Sequence, residues 1–238
     1  MSDERSAELA ANLADVRARV EAACLAHDRD PAQITLIVVT KTWPSDDVRR
    51  LASLGVHDVG ENRDQEAAPK AADTEDLDLR WHFVGQLQTN KAASVARYAD
   101  VVHSVDRMSL ITALDKGAAK AGRRLRCLIE VDLTEGVQGR GGAAPAEVAS
   151  LAHAVAATEH LDLAGVMGVA PLDPQDQPTA SAAAFARLAA ISAEVRREHP
   201  DATVVSAGMS EDLEEAIAAG ATHLRVGSAV LGTRPPLG

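Results

Sequence analysis

The sequence predicts an α/β fold, a single (β/α)8 TIM-type barrel with an additional N-terminal helix. Three observations carry that expectation. Short β-branched apolar runs alternate with longer stretches of helical period along the whole chain. About eight such units fit into 238 residues, the unit count and length of a closed barrel. No shift in composition marks a boundary, so residues 1–238 read as one domain. A doubly wound open sheet is the alternative that the same alternation permits.

Taken in order, Ser6–His27 opens the chain as an amphipathic helix, with Leu9, Leu13, Val16 and Val20 at helical spacing. Ile34–Thr40 (ITLIVVT), bounded by Pro31 and Pro44, reads as a strand buried on both faces. Ser45 is the expected cap of the next helix, with Asp46 and Asp47 complementing the partial positive charge of its first turn. Further strands are expected at Asp58–Gly60, Trp81–Gly85, Val101–Ser104, Leu125–Leu133, Leu161–Met167, Thr203–Ala207 and His223–Gly227. Helical patterns between them include Asn90–Tyr98, Met108–Ala121, Ala144–Thr158, Thr179–Glu198 and Glu211–Ala219. Thr134–Ala143 and Pro171–Pro178 read as loops that follow strands, on the face where barrels build their active sites.

Composition narrows the function classes without choosing one. Lys+Arg 24 against Asp+Glu 35 leaves a formal charge of -11, which argues against a general nucleic-acid or anionic-membrane surface but allows a local basic pocket. Aromatic residues make up 2% of the chain, too few for base-stacking platforms, and roughly a fifth is alanine. Cys24 and Cys127 form no CxxC, which disfavours a disulfide framework or a cysteine-rich metal site. The start MSDERSAELA is unlike a signal peptide and no apolar run reaches spanning length, so the cytoplasm is expected, with no membrane partner.

The unusual residues fall at strand ends. Lys41 breaks an apolar run, Gly60-Glu61-Asn62 and Trp81-His82-Phe83 sit at the second and third strands, and Ser104 and Asp106 end the fourth. Met167-Gly168, Ser206-Ala207-Gly208-Met209-Ser210 and Arg225-Val226-Gly227-Ser228 close the sixth, seventh and eighth. In a barrel all of these ring one mouth. A partly desolvated lysine at that mouth has a lowered pKa and an amine ready for Schiff-base chemistry; the plainer reading pairs Lys41 with Glu61 or Asp132. The two glycine-serine turns after strands seven and eight stand where barrels commonly bind phosphate, although tight turns with a capping serine look the same. Arg225 needs a partner inside a strand: a phosphate, a carboxylate, a cofactor's ring nitrogen, or a structural ion pair. His82 is placed to face the interior, as an ordinary core histidine would be, while His103 and His223 read as structural. A lysine on strand one facing a phosphate cradle suits pyridoxal 5′-phosphate (PLP), and a Schiff-base aldolase acting on a sugar phosphate is a further option.

The ordered motifs VVTKTWP (Val38–Pro44), GENRDQE (Gly60–Glu66), WHFVGQLQTNK (Trp81–Lys91), VHSVD (Val102–Asp106), GVMGVAP (Gly165–Pro171) and GMSEDLEEAIAAGATHLRVGSAVLG (Gly208–Gly232) resemble the YggS/PROSC-type pyridoxal phosphate homeostasis proteins, whose barrel is alanine-racemase-like. The resemblance implies that Lys41 carries PLP as a Schiff base and that Asn62 lies beside the cofactor. It also implies that Ser206, Gly208, Ser210, Gly227 and Ser228 surround the phosphate. Arg225 would stand near the ring nitrogen, with His82 and Met167 lining the pocket. The function implied is PLP binding in intracellular PLP homeostasis, without robust catalytic activity and with no metal. PLP-dependent apo-enzymes are the implied recipients, and a monomer is expected.

The alternative is a PLP-dependent amino-acid racemase or related α-carbon enzyme, which needs acid-base groups on both faces of the cofactor. Tyr98, the only tyrosine, falls in a predicted outer helix, and a chain of this length leaves no room for a racemase's second domain. Two departures from the family pattern stand out. Ser206-Ala207-Gly208-Met209-Ser210 replaces the frequent SMGMS, which alters packing. Asp132 and Thr134–Gly142, with Arg140 its only basic residue, replace an asparagine and a lysine-containing loop.

Overall fold

A computed structural model of the chain describes residues 2–134, 141–171 and 177–232. Among them, parallel strands β1 (Thr35–Val39), β2 (Asp58–Glu61), β3 (Arg80–Phe83), β4 (Val101–Val105), β5 (Leu125–Val131), β6 (Leu161–Gly168), β7 (Val204–Ser206) and β8 (His223–Val226) close in sequence order. The closing seam pairs Val38 of β1 with Val226 of β8. Closure decides between the two topologies the sequence permits: the fold is a (β/α)8 barrel. The strands are short and apolar because both faces are covered, one by the opposite strands and one by helices.

The outer layer is α1 (Ser2–Ala26), α2 (Ser45–Ser53), α3 (Asp64–Asp73), α4 (Ala92–Val95), α5 (Met108–Ala121), α6 (Val148–Ala156), α7 (Gln177–Glu198), α8 (Leu213–Ala218) and the short α9 (Ser228–Leu231). α1 is the additional N-terminal helix, and the expected stripe of Leu9, Leu13, Val16 and Val20 is buried. Its polar edge is tied down too: Arg19 forms an ion pair with Glu214 of α8 at 2.8 Å, and Asn12 donates to the Val230 carbonyl of α9. The small helix residues let the layers approach closely. Ala92, Ala96 and Ala118 are all fully buried, and a Cβ added at Gly117 would lie 3.0 Å from Ala93 Cα.

Several boundaries differ from expectation for local reasons. Ser45 is the first helical residue of α2 and Pro44 holds the cap position, so the Ser45 hydroxyl is released to donate to Asp73 on α3. β5 stops at Val131, where the Asp132 carboxylate accepts from the Thr134 amide at 2.8 Å and turns the chain. The helix expected over Asn90–Tyr98 is a 3-10 turn, Thr89–Lys91, followed by one α-helical turn. Within the two expected loops, residues 135–140 and 172–176 lie outside the described residues.

The register slips between Cys127 and Leu128 where β5 meets β6, and Gly165 (φ 150°) sits opposite. A Cβ at Gly165 would overlap the Val204 carbonyl of β7. Gly165→Ala should therefore lower stability in urea unfolding by roughly 3 kcal/mol or more, because a buried backbone must move. Gly122→Ala, at a φ of 64° with open space around it, should cost only ~1 kcal/mol from the left-handed backbone alone.

Candidate functional site

Lys41 lies two residues past the end of β1, half-buried at the C-terminal mouth, in a turn held by hydrogen bonds from its neighbours. Thr42 adopts a φ of 69°, unusual for a threonine, and its amide donates to Glu66 of α3 at 2.9 Å. The Thr40 carbonyl accepts from Trp43 N at 3.1 Å and from Lys70 Nζ at 2.8 Å. Lys70 also meets Glu61 Oε1 at 2.6 Å, and the Thr40 hydroxyl donates to that same oxygen at 2.8 Å. Burial raises the Glu61 carboxyl above its ordinary range, against the opposing pull of Lys70 and Thr40. Glu61 is thus committed to Lys70 and Thr40. Asn62, next in sequence, has a buried Oδ1 with no hydrogen-bond partner among the described residues.

The two glycine-serine turns are joined into one structure. Gly208 (φ 89°) accepts from the Arg225 amide at 2.9 Å, and a Cβ there would meet Ala216 Cβ at 2.6 Å. Ser228 Oγ donates to Ser210 Oγ at 3.1 Å, and the Ala229 amide approaches that same oxygen at 3.4 Å. Gly227 passes the end of β1 so closely that its Cβ would lie 3.3 Å from the Val39 carbonyl. The seam between β8 and β1 therefore brings this cradle beside the Lys41 turn.

Arg225 is buried on β8; one guanidinium N–H donates to Ser206 Oγ at 2.6 Å and another to the Gly168 carbonyl at 3.0 Å. Burial pushes its pKa down to about 10, which leaves it cationic at neutral pH, with Glu130 and Asp212 supporting the charge. Ser206 Oγ lies 3.0 Å from His103 Nδ1, His103 Nε2 lies 2.9 Å from His82 Nδ1, and His82 Nε2 lies 2.8 Å from Asp58 Oδ1. His82 and Ser206 are thus engaged in the barrel interior. Met167 is buried there as well, against Val101, Leu128, Ala164 and Val204. Gly208, Ser210, Gly227 and Ser228 form one cradle at the ends of β7 and β8, beside the turn that carries Lys41, with Arg225 on β8 beneath it, and Asn62 follows β2 at the same end of the barrel.

The sequence reading missed four contributors. His103 looked partnerless because its partners lie on other strands. Glu66 and Lys70, which fix the Lys41 turn, belong to a helix whose period was not read. Glu130 is the fourth: it lines a mouth cavity of about 320 Å³ with Asp132, Thr134, Gly141, Val169 and Met209. Its Oε2 is buried without a partner among the described residues. Burial, with Asp106 and Asp132 nearby, pushes its carboxyl up to about 7, although Arg225 pulls the other way.

Comparison with known proteins places these features in a lineage. Residues 6–235 match the family model of the alanine racemase N-terminal domain. A pyridoxal phosphate homeostasis protein of Mycobacterium bovis is 40% identical over 250 residues, covering 97% of this chain and 95% of that protein. The protein of the same name from Escherichia coli K12 is 34% identical, covering 95% and 97%. Among solved structures, PipY of Synechococcus elongatus with PLP bound superposes with a TM-score of 0.81 at 32% identity, covering 94% of this chain and 100% of that one.

Glu130 gives the site a measurable pH signature. The folded chain keeps this carboxyl protonated up to about 7, whereas unfolding returns it to an ordinary value near 4.5. The folded state then holds more protons across that window, so this group's contribution makes stability fall as pH rises through it. Relative to wild type, Glu130→Gln should be unchanged near pH 4 and gain stability up to pH 8, by at most ~3 kcal/mol. Urea unfolding at a series of pH values checks this, and a constant difference between the two proteins would contradict it.

Proposed function

We propose that this chain, which belongs to the pyridoxal phosphate homeostasis protein family, binds PLP at the barrel mouth through Lys41 and serves intracellular PLP homeostasis without robust catalytic turnover. The observation that carries the reading is the closing seam, which sets the Lys41 turn beside the joined β7 and β8 turns and above the buried Arg225. The donor set suits the group. Lys41 supplies an amine for attachment of the aldehyde. Ser210, Ser228 and the glycine backbone at 208 and 227 supply hydroxyl and N–H donors for a phosphate. Asn62 Oδ1 is a buried acceptor awaiting a donor.

PLP supplies an electron sink when bound, and Arg225 limits how strong that sink is. A guanidinium that stays cationic would donate to the pyridine nitrogen without giving up a proton, so the ring would be a weaker sink than one protonated through a carboxylate. That supports a role in holding and delivering the cofactor. The recipients in this reading are PLP-dependent apo-enzymes in the cytoplasm, and the working form is a monomer. No helix among the described residues is long and apolar enough to cross a membrane.

A racemase or related α-carbon enzyme is the second reading, and Glu130 is the observation that favours it, as a carboxyl that titrates near neutrality beside the mouth. Tyr98 does not serve, because its ring packs edge-on against Trp81 with the hydroxyl buried. Lysine-dependent turnover of free amino acids at enzyme-like rates would decide for this second reading.

The purified chain loaded with PLP should show a visible absorption band that Lys41→Ala abolishes while leaving the fold intact by circular dichroism. A Lys41→Ala protein with the full band would defeat the lysine assignment.

A further inference from the structure

The barrel interior holds an uninterrupted hydrogen-bonded chain from its N-terminal end to its mouth. It runs Asp58 (β2), His82 (β3), His103 (β4), Ser206 (β7), Arg225 (β8), with links of 2.8, 2.9, 3.0 and 2.6 Å. His82, His103 and Ser206 are each no more than 1% exposed, so water does not substitute for any link.

Only one arrangement of protons satisfies every link with neutral imidazoles. Burial disfavours ionisation of Asp58, but the hydrogen bond from His82 and the neighbouring charges hold its carboxyl below the ordinary range, so it can only accept. His82 must then present Nε2–H to Asp58. Burial keeps both imidazoles neutral, so His82 Nδ1 is bare and accepts from His103 Nε2–H. His103 Nδ1 is bare in turn and takes the Ser206 hydroxyl proton. Ser206 Oγ is left as the acceptor for Arg225, which can only donate. The two charged ends, an anion and a cation, demand the same direction.

We propose that Asp58 is a positioning residue for the mouth: through His82, His103 and Ser206 it sets the direction of this chain and so fixes the orientation in which Arg225 meets a bound ligand's ring nitrogen. The inference rests on the reading of Arg225 as the cofactor's partner. It goes beyond that reading by making a carboxylate at the opposite end of the barrel part of the site. Other charged and titratable groups surround the chain: Arg80 pairs with Asp58 at 2.8 Å, and the His223 ring lies 6.4 Å from that of His82. None of the described residues offers His103 an alternative acceptor in the hydrogen bonds around it.

The test is nitrogen-15 NMR of the full chain labelled at histidine, recorded at pH 7 without PLP. His82 and His103 should each show a protonated Nε2 and a bare Nδ1. Either residue as the Nδ1–H tautomer, or doubly protonated, would overturn the chain. Asp58→Ala should disturb the His103 resonances two links away, and PLP should leave about tenfold faster, the equivalent of one weakened charge-assisted hydrogen bond. The nearly isosteric Asp58→Asn guards against misfolding: its Oδ1 still accepts from His82 Nε2–H, so the histidine tautomers and PLP release should stay close to wild type. Unchanged His103 spectra and unchanged PLP release in Asp58→Ala, or losses in Asp58→Asn as large as those in Asp58→Ala, would overturn the proposal. Should the wild-type chain take up no PLP, the reading of the mouth fails, while the cofactor-free histidine spectra still confirm or overturn the direction of the chain.

Discussion

Arg225 is a cation buried in a barrel wall, and most of the site follows from how that charge is tolerated. An isolated guanidinium in such a place would be too costly, so the fold gives it two acceptors, Ser206 Oγ and the Gly168 carbonyl, with the Glu130 and Asp212 carboxyls acting on the charge from a distance. Ser206 is itself held by His103, and the sequence of partners ends only at Asp58. Satisfying one charge has thus filled part of the barrel interior with polar groups. The remaining interior is packed with Val101, Leu128, Ala164, Met167 and Val204.

Closure of the sheet sets that charge beside an amine. Lys41 and the β8 turn lie far apart in sequence, yet β1 and β8 are hydrogen-bonded neighbours. The first strand therefore delivers an amine to the place where the last two strands deliver hydroxyls, backbone donors and a guanidinium. The Lys41 turn is locked from the opposite side by α3, through Glu66 on the Thr42 amide and Lys70 on the Thr40 carbonyl. The Lys41 turn is thus held by contacts on both sides before any ligand enters.

Much of this was legible in the sequence. Alternating period narrowed the fold to a barrel or an open sheet, and the odd residues at strand ends fall at one end of the barrel that closure reveals. What stayed hidden depends on side-chain contacts between distant strands. His82 was expected to face the pocket, yet both its ring nitrogens are taken by Asp58 and His103, while His103 was read as merely structural. The Ser45 cap was misplaced by one residue because Pro44 takes the capping position and Asp73, far along the chain, claims the hydroxyl. Glu130 escaped notice since a glutamate in a strand shows its environment only once the opposite wall is known.

The proposed function requires that one lysine among several, Lys41, hold the cofactor. Lys70 and Lys91 also lie near this face of the barrel, Lys70 bound to Glu61 and Lys91 beside Asp64. Loading the chain with PLP, reducing it with borohydride and mapping its peptides by mass spectrometry distinguishes them. The phosphopyridoxyl mass is expected on the peptide carrying Lys41 alone. That mass on Lys70 or Lys91 with Lys41 unmodified, or on no lysine at all, would contradict it.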